Sequence, residues 1–224
     1  MLLAVAATDL EMDPLKDELG LDKEVMYLIS GLGPVETALS VTRVVVGATD
    51  KNISGVVNFG VAGAFFDSGL DLLDICLADQ EIFADFGICQ GENVVPFNEE
   101  GGLRVRTGFP LDNSLLDRAE KVLGANNIVY RKGAFVTVNC SSGTARRGNY
   151  FRDKHKAICE NMEGASVARV CEEFGLPCLE VRAVSNFVAD RNEANWQLAK
   201  ACRLSGRVTA ILISGLLAQF SVHK

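Results

Sequence analysis

Short apolar runs alternate along this chain with segments in which apolar residues recur every three or four positions. A short apolar run bounded by Gly, Pro, Asp or Asn is typical of a strand, whereas the longer spacing is typical of a helix packed on one face. Their alternation predicts a mostly parallel sheet flanked by helices. The predicted strands are Leu2–Ala7, Val25–Ser30, Gly55–Phe59, Ile75–Ile82, Ala134–Val138 and Cys178–Val184.

Helices are predicted between and after these strands, beginning near Asp13, Pro34, Asn113, Gly164 and Asn192. Two of them have a clear apolar face, so we expect them to pack against the sheet. These faces consist of Val167, Val170, Cys171 and Phe174 in one helix, and of Ala201, Leu204, Val208, Ile211 and Gly215 in the last.

Length and composition indicate one folded unit. The chain has 224 residues, which is within the size range of single α/β domains, so we expect one domain over 1–224. Hydrophobic residues make up 48% and charged residues 23%, which excludes a disordered chain. The net charge of −7 offers no basic surface to phosphates, so nucleic acid is not an expected partner.

Cysteines and apolar stretches bear on the compartment. The seven cysteines are an odd set without a Cys-x-x-Cys pair, so we expect reduced, buried thiols and neither disulfides nor zinc. Met1–Ala7 lacks the basic start of a signal peptide and is interpreted as a core strand. The longest apolar stretch, Val208–Phe220, is shorter than the roughly 20 residues of a membrane-spanning helix. We therefore expect a cytoplasmic protein without a membrane partner.

The segment from Phe83 to Gly108 has the least regular pattern. It contains several glycines, Pro96 and the pair Glu99–Glu100. We expect a loop or a hairpin near the functional site, because irregular excursions of this length often have functional roles.

Two glycine-containing segments follow predicted strands. In Gly31–Glu36, Glu36 occupies the third glycine position of a dinucleotide-binding loop, and its charge would oppose a pyrophosphate. A tight turn is the preferred interpretation, and no nicotinamide cofactor is expected. Gly60–Ala64 is predicted to end the strand before it. Its small residues would let a ligand approach the backbone, although a plain turn explains the glycines equally well.

Glu160–Ala165 and Leu179–Asn186 form the most informative part of the chain. They lead from a carboxylate at a helix start, through a helix, into a buried strand that ends in polar residues. From the residues alone, Glu163 could bind a ligand, or it could favour the helix dipole with Arg182 as its structural partner.

Several segments together resemble one enzyme family. Asn161–Ala165, continuing through Val170–Cys171 and Leu176–Pro177 to Val181–Asn186, resembles the signature of methylthioadenosine/S-adenosylhomocysteine nucleosidases and their relatives in the nucleoside phosphorylase superfamily. Val57–Gly63 resembles their central loop, and Ala7–Glu11 resembles the acidic loop after their first strand. The resemblance implies a single-domain three-layer α/β/α fold with a central mixed, partly barrel-like sheet. It also implies a homo-oligomer, with a dimer favoured, and neither a cofactor nor a metal.

Within that superfamily, other segments resemble the futalosine hydrolases. They are Thr137–Asn139 with Ser142–Thr144, and Ser185–Asn186 followed by Arg191–Asn192 and Trp196. The resemblance implies that water cleaves the N-glycosidic bond of a small-molecule nucleoside, futalosine. The products would be hypoxanthine and dehypoxanthine futalosine, in menaquinone biosynthesis.

Cleavage of this bond places positive charge on the ribosyl ring and negative charge on the purine. The resemblance implies that Glu11 is the base that activates water, unless the acidic residues of its loop only complement the dipole of the next helix. It implies that Glu163 accepts hydrogen bonds from the ribose hydroxyls, with Arg182 orienting this carboxylate. Met162 would pack on the sugar, although it could equally fill the core.

Asn186 is a departure from the pattern of adenine-cleaving relatives, which usually have Asp at this position. An amide cannot protonate the purine, but it can both donate and accept a hydrogen bond, which suits a 6-oxopurine such as hypoxanthine. This favours an inosine-like substrate over methylthioadenosine. A structural Asn at a strand end is the alternative.

The remaining site residues rest on the resemblance. Val61, Ala62 and Gly63 are expected at the ligand, and Thr137 and Asn139 at the rim of the base or sugar pocket. Arg191 could pair with the benzoate carboxylate of futalosine, or it could be a solvated surface arginine. Trp196 is expected in the core or an interface rather than against a ligand.

The favoured activity has three alternatives. A phosphorylase would have to bind phosphate at the first loop, where Asp9 and Glu11 would repel it, so water is the preferred nucleophile. A methylthioadenosine/S-adenosylhomocysteine nucleosidase is disfavoured by Asn186 but stays open. A nucleoside-binding protein without turnover is disfavoured by the joint presence of Glu11, Glu163 and Arg182.

Overall fold

A computed structural model of the chain describes residues 1–48, 53–91, 93–97, 105–111, 113–190 and 196–221. Strands and helices alternate through this part of the chain, as the hydrophobic pattern predicts. In chain order they are β1 Leu2–Ala6, α1 Asp9–Leu19, β2 Val25–Ile29, α2 Pro34–Gly47, β3 Gly55–Ala64, β4 Ile75–Phe83, β5 Ile88–Gln90, β6 Asn93–Val95, β7 Gly108–Pro110, α3 Ser114–Ala125, β8 Arg131–Thr137, α4 Ala145–His155, β9 Ala157–Asn161, α5 Gly164–Glu173, β10 Cys178–Phe187 and α6 Leu198–Ser221.

The central sheet closes on itself. Five strands pair in the order β10, β4, β8, β9, β3, and β3 pairs again with β10, which completes a small barrel. β1 and β2 extend the sheet outward from β3 in parallel, and β7 pairs with β4. Because β3–β9 and β10–β4 are antiparallel while β8–β9 and β3–β10 are parallel, the sheet is mixed. The predicted mixed, partly barrel-like α/β fold is confirmed.

Helices cover the sheet on both sides. Alternate side chains of β1 belong to different cores: Leu2 and Ala4 pack with α1, α3 and α6, whereas Leu3 and Val5 pack with α2 and α5. Strands buried on both faces explain why the sequence shows nearly continuous apolar runs here. The three layers are thus built from one sheet whose two faces are both apolar.

The first helix begins four residues earlier than the predicted start near Asp13. Thr8 precedes it, and Glu11 in its first turn accepts hydrogen bonds from the Thr8 backbone N–H at 3.2 Å and hydroxyl at 2.9 Å. This reciprocal cap stabilises the helix start. Pro14 therefore lies inside α1, although its position favoured a start just before it. The consequence is that Glu11 is fixed by the helix that follows β1.

β3 and β10 both continue past their predicted ends, and both extensions line the candidate functional site. Gly60–Ala64 is not a turn, because β3 continues through it and pairs with β9 and β10. β10 continues past Val184 to Phe187, so Asn186 lies within a strand rather than beyond its end. Barrel closure provides the pairing partners for both extensions.

The last helix begins later than predicted and is longer than its apolar stretch. Asn192, the expected start, lies outside the described residues, and α6 begins at Leu198. By length and composition alone, Leu198–Gln219 is a candidate membrane span, a test that core helices also pass. Here 56% of the apolar window is buried within the protein. Ala201, Val208 and Leu212 belong to the same core as the sheet, so this helix packs along the sheet as expected.

Further elements had no counterpart in the sequence prediction. α4 and β9 lie between the predicted strand at Ala134 and the helix at Gly164.

In the described part of the irregular segment, β5 and β6 form an antiparallel hairpin, which matches the expected hairpin. Among the cysteines, Cys89 and Cys140 are exposed, contrary to the expectation that all seven are buried. Phe174, expected on a packed face, is half-exposed at the end of α5.

Candidate active site

A cavity of about 280 Å³ opens where β1, β3, β9 and β10 end. Glu11, Glu163 and Asn186 all line it, although they come from three distant parts of the sequence. Their meeting follows from the barrel, which brings the ends of these strands together. The lining consists of Ala7, Glu11, Leu32, Val61, Ala62, Gly63, Ser141, Glu160, Asn161, Met162, Glu163, Ser185, Asn186, Trp196 and Leu198.

Glu11 is held rigidly on one side of the cavity. Its side chain is buried, with a 6% exposed fraction. Oε2 accepts the two hydrogen bonds from Thr8, and Oε1 accepts one from the backbone N–H of Val61 at 3.1 Å. Gly60 makes this approach feasible, because a Cβ there would overlap Glu11 Oε1 and would lie 2.8 Å from Arg182 Nη1. The carboxylate therefore reaches the backbone of β3 without a side chain in between.

Glu163 is the second fixed carboxylate. It lies at the N-terminus of α5, is 4% exposed, and Oε1 accepts a hydrogen bond from the Gly33 backbone N–H at 3.1 Å. Oε2 lies 3.6 Å from Nη1 of Arg182. Burial raises the pKa of Glu163, while Arg182 and the Gly33 N–H lower it and Glu11 and Glu180 raise it. The net direction is upward from the ordinary pKa of a glutamate.

Arg182 lies behind the cavity rather than in its lining. It is fully buried, donates from Nε to Glu180 Oε1 at 2.9 Å, and donates from Nη1 to the carbonyl of Val61 at 3.3 Å. Burial alone would lower the pKa of Arg182, but the carboxylates of Glu180, Glu163 and Glu11 raise it overall. A permanently charged guanidinium thus lies between the carboxylates and fixes the orientation of Glu163.

Glu81 and Glu180 form a pair of buried acids next to Arg182. Glu81 and Glu180 are both completely buried and both approach Gly164, where a Cβ would overlap Glu81 and would lie 2.5 Å from the Glu180 oxygens. Burial, and then the charge of Glu180, raise the pKa of Glu81 well above its ordinary value. Gly164 therefore supplies the space that both carboxyl groups approach.

Thr137 belongs to this buried layer and not to the rim. Its hydroxyl donates to Glu81 Oε2 at 2.8 Å and accepts from the Ala165 N–H at 2.7 Å. Asn161 completes the layer by donating to Glu81 at 2.5 Å and accepting from the Glu163 N–H at 3.0 Å. These bonds position the turn between β9 and α5, so Thr137 acts on the cavity only through its neighbours.

Asn139 lies at an exposed turn and is not part of the described lining. Its backbone N–H and side-chain amide both donate to Asp85, at 2.7 and 3.0 Å. Asp85 also accepts from the Cys140 N–H and lies 3.6 Å from Arg147. Asn139 therefore fixes the loop that leads to Ser141, which does line the cavity.

Asn186 marks the end of the cavity away from Arg182's network. Its Oδ1 accepts from the Ser185 hydroxyl at 2.8 Å, and its Nδ2 donates to the Phe187 carbonyl at 3.2 Å. An amide has two N–H donors and two acceptor lone pairs, so one of each stays available for a ligand. Gly63 is paired with Asn186 on β3, and a Cβ there would lie 2.9 Å from Val188 Cγ2 and 3.2 Å from Asn186 Nδ2, so only a glycine fits beside the amide.

Of the other predicted residues, Val61, Ala62, Gly63 and Met162 line the cavity, and Arg191 lies outside the described residues. Trp196, expected in the core or an interface, also lines it.

Sequence reasoning did not single out Glu160 and Ser141 as cavity residues. The available signal for Glu160 was its place directly before the recognised motif that begins at Asn161. In the described part of the chain, no group of three or more His, Cys, Asp or Glu side chains is arranged to hold a metal.

Comparisons with known proteins agree with this fold and cavity. The family model of the phosphorylase superfamily matches residues 19–218. Futalosine hydrolase of Thermus thermophilus is 29% identical over 191 residues, covering 84% of this chain and 81% of the relative. The 5'-methylthioadenosine/S-adenosylhomocysteine nucleosidase of Bacillus cereus is 30% identical over 177 residues, covering 77% and 72%.

A solved structure shows the same fold. The structure of a futalosine hydrolase mutant of Helicobacter pylori superposes with a TM-score of 0.82 at 22% identity, covering 95% of this chain and 98% of that one. The family model spans most of the chain, from within α1 to near the end of α6, and the similarity to relatives is of comparable extent. The chain belongs to the phosphorylase superfamily.

Proposed function

We propose that this protein is a purine nucleosidase that uses water to cleave the N-glycosidic bond of futalosine. The products would be hypoxanthine and dehypoxanthine futalosine, in menaquinone biosynthesis. The observation that carries the proposal is the meeting of Glu11, Glu163 and Asn186 around one cavity. The similarity to the Thermus futalosine hydrolase supports the choice of substrate.

The two carboxylates suit the sugar end of the reaction. Glu11 accepts a proton from the attacking water, and its negative charge stabilises the oxocarbenium-like ribosyl ring. Glu163 accepts hydrogen bonds from ribose hydroxyls, and Met162 beside it offers an apolar surface to the ring. Because Thr8, Val61 and Gly33 already fix both carboxylates, little reorganisation is needed when charge develops.

Asn186 suits the purine end. The departing base gains negative charge, and an amide N–H can donate to it without supplying a proton. Asn186 can also accept a hydrogen bond, so it complements a 6-oxopurine. Val61, Ala62 and Gly63 let the ligand lie close to the β3 backbone. Arg191 remains a proposed partner of the substrate's benzoate carboxylate.

Water is favoured over phosphate as the nucleophile. No lysine or arginine is among the described lining residues, whereas Glu11, Glu160 and Glu163 are. Arg182 is nearby but engaged by Glu180 and Glu163. Carboxylates at close range repel an anionic phosphate, so a phosphorylase reaction is disfavoured.

A second candidate is cleavage of methylthioadenosine or S-adenosylhomocysteine. The 30% identity to the Bacillus cereus nucleosidase favours it. Both reactions cleave a ribosyl–purine bond, so the residues that would bind the ribose could serve either substrate. Asn186 weighs against it, because an amide cannot protonate the departing adenine. A binding protein without turnover is the least favoured alternative. Backbone N–H groups hold the carboxyl groups of Glu11 and Glu163 in fixed orientations, as catalysis requires.

We further propose one domain over 1–224, a cytoplasmic location and a homodimer. Leu32, Val35, Leu39 and Val46 are exposed at and along α2, an apolar row that a second copy would cover. Leu32 also lines the cavity, so a dimer partner would lie close to the substrate. Sedimentation of the purified protein tests this part, and a monomer at micromolar concentration would remove it.

The reaction itself is tested by assaying the purified protein with a panel of purine nucleosides, with and without phosphate. We expect base release at the same rate in both buffers, with a free reducing sugar as the second product. Release that requires phosphate, with a sugar phosphate as product, would contradict the proposed hydrolysis. Absence of base release from every nucleoside would leave the binding protein as the better account.

A further inference from the structure

Glu160 is a buried acid of the cavity that the proposed reaction does not use. It is 5% exposed and lines the cavity. Oε1 accepts a hydrogen bond from the Ser142 N–H at 2.8 Å, and it lies 3.4 Å from the Ser141 hydroxyl. Oε2 is buried and has no hydrogen-bond partner in the described part of the chain. Such an acceptor is costly unless something binds it.

The register of three adjacent strands brings Glu160 and Asn186 to the same place. Gly63 of β3 pairs with Glu160 of β9 on one side and with Asn186 of β10 on the other. Residues paired across strands direct their side chains to the same face of a sheet. A Cβ at Gly63 would lie 3.2 Å from Asn186 Nδ2 and 3.6 Å from Glu160 Cγ. The nearest atom to such a Cβ would be Cγ2 of Val188, at 2.9 Å, so only a glycine fits between the acid and the amide that line this cavity.

Arg147 is not described as an ion-pair partner of Glu160. Arg147 is the charged group that lowers its pKa, against the larger raising effect of burial. Arg147, however, forms its described ion pair with Asp85, at 3.6 Å, and packs over the ring of Phe151. One oxygen of Glu160 accepts the hydrogen bond from the Ser142 N–H, and no hydrogen bond to the second oxygen is described.

We propose that Glu160 and Asn186 together recognise the 6-oxopurine edge of the substrate. Glu160 Oε2 accepts the N1–H of hypoxanthine, and the Asn186 amide donates to the neighbouring O6 or N7. Adenine has no hydrogen on N1, so its N1 lone pair would face the carboxylate oxygen instead. This inference rests on the proposed nucleosidase function, and it adds the residue that selects the base.

The chemistry predicts strong selection by a single side chain. A site built to accept a hydrogen bond from a ligand rejects an analogue that lacks the donor, because the buried acceptor is then left unpaired. Glu160→Gln changes this preference without changing the size of the side chain, since the amide can donate to N1 of adenine. We expect the preference for 6-oxopurines to fall by roughly 10- to 100-fold.

The experiment compares matched pairs of substrates, inosine with adenosine and futalosine with its 6-amino analogue. The ratio of kcat/KM within each pair is measured for the wild type, for Glu160→Gln and for Glu24→Gln. Glu24 is exposed and lies outside the cavity lining, so its variant should keep the wild-type ratio. A wild-type ratio in Glu160→Gln would overturn the inference, since removal of a structural anchor alone would slow both substrates equally.

A second variant and a binding measurement keep the test decisive. If Glu160→Gln does not fold, Glu160→Asp retains the charge and should weaken hypoxanthine binding while keeping its preference over adenine. Equal affinity of Glu160→Asp for both bases would overturn the inference. If the wild type cleaves no nucleoside, the proposed function fails, and calorimetric binding of free hypoxanthine and adenine to the wild type still decides the inference. Tighter binding of hypoxanthine supports it, and equal or tighter binding of adenine overturns it.

Discussion

The two ends of the cavity are built differently. At the end proposed to bind the sugar, called the sugar end, Glu11 accepts three hydrogen bonds, and Glu163 is held by Gly33 and Arg182. At the end proposed to bind the purine, called the base end, Glu160 has one anchored oxygen and one without a described partner, and Asn186 has donor and acceptor capacity left over. The two carboxylates of the first end are thus held by protein groups, whereas the carboxylate and the amide of the second end are satisfied only in part.

In the proposed reaction, one end of the cavity stabilises charge on the ribosyl ring and the other end selects the base. Groups that stabilise charge on the ribosyl ring must be oriented before the reaction, because reorientation during it would cost free energy. Groups that select a base need unsatisfied donors and acceptors, because the ligand then completes their hydrogen bonding. The sugar end should therefore determine kcat, and the base end should determine which purine is accepted.

The largest effect is expected from the sugar end. Glu11→Gln removes the proton acceptor and should lower kcat by roughly 10²- to 10⁴-fold. Glu163→Gln loses the charged acceptor of the ribose hydroxyls and should lower kcat/KM by roughly 10²-fold. Steady-state kinetics with thermal unfolding as a folding control measure both. A wild-type rate in either variant would remove that residue from the mechanism.

Two glycines allow the ends to be compared by the same change. Gly60→Ala places a methyl group against Glu11 and should lower kcat by about 10²-fold, because small displacements of a catalytic group are costly. Gly63→Ala places one 2.9 Å from Val188 and 3.2 Å from Asn186, so it should mainly raise KM, by about tenfold. Kinetics that show the reverse assignment would contradict the division between the ends.

The pH dependence of binding sharpens the picture of the sugar end. Burial raises the pKa of Glu163, and Glu11 and Glu180 add to this effect against Arg182 and Gly33. Ionised Glu163 accepts hydrogen bonds from the ribose hydroxyls better than protonated Glu163 does. The affinity for the nucleoside should therefore fall as the pH decreases through this raised pKa.

Glu11→Gln removes one of the raising charges, so the loss of affinity should move to lower pH. The measurement uses a C-nucleoside, whose glycosidic carbon–carbon bond water does not cleave. An unchanged or upward-shifted midpoint in the variant would show that Glu11 does not act on Glu163.

The smallest effect is expected at Asn139. Asn139→Ala removes an exposed hydrogen bond to Asp85, while the backbone bonds of Asn139 and Cys140 to the same carboxylate remain. A bond of this kind contributes about 0.5–1 kcal/mol, so kcat/KM should change by less than about fivefold. A loss comparable with that of Glu11→Gln would place Asn139 at the ligand after all.

The sequence predicted the fold well where local pattern and resemblance agreed. The starts of the helices at Pro34 and Gly164 are confirmed, as is the mixed, barrel-like sheet. The start near Asp13 was wrong, because the cap between Thr8 and Glu11 starts the helix at Asp9. β9 was missed because its five residues form a strand only through partners far away in the sequence.

The site was partly predictable for the same reason. Motif residues such as Glu11, Glu163 and Asn186 meet as the resemblance implied. The buried pair of Glu81 and Glu180 was not predictable, because a glutamate in a strand resembles a solvent-facing residue until the barrel closes around it. Thr137 was expected at the rim because its hydrogen bond to the buried Glu81 could not be foreseen.

The central claim is that Glu11 and Glu163 hold a ribose while the far end of the cavity selects a 6-oxopurine. The most direct test is a competition in phosphate-free buffer, in which the wild-type protein receives futalosine and methylthioadenosine at equal concentrations. The account predicts that hypoxanthine is released faster than adenine. Faster release of adenine would contradict it.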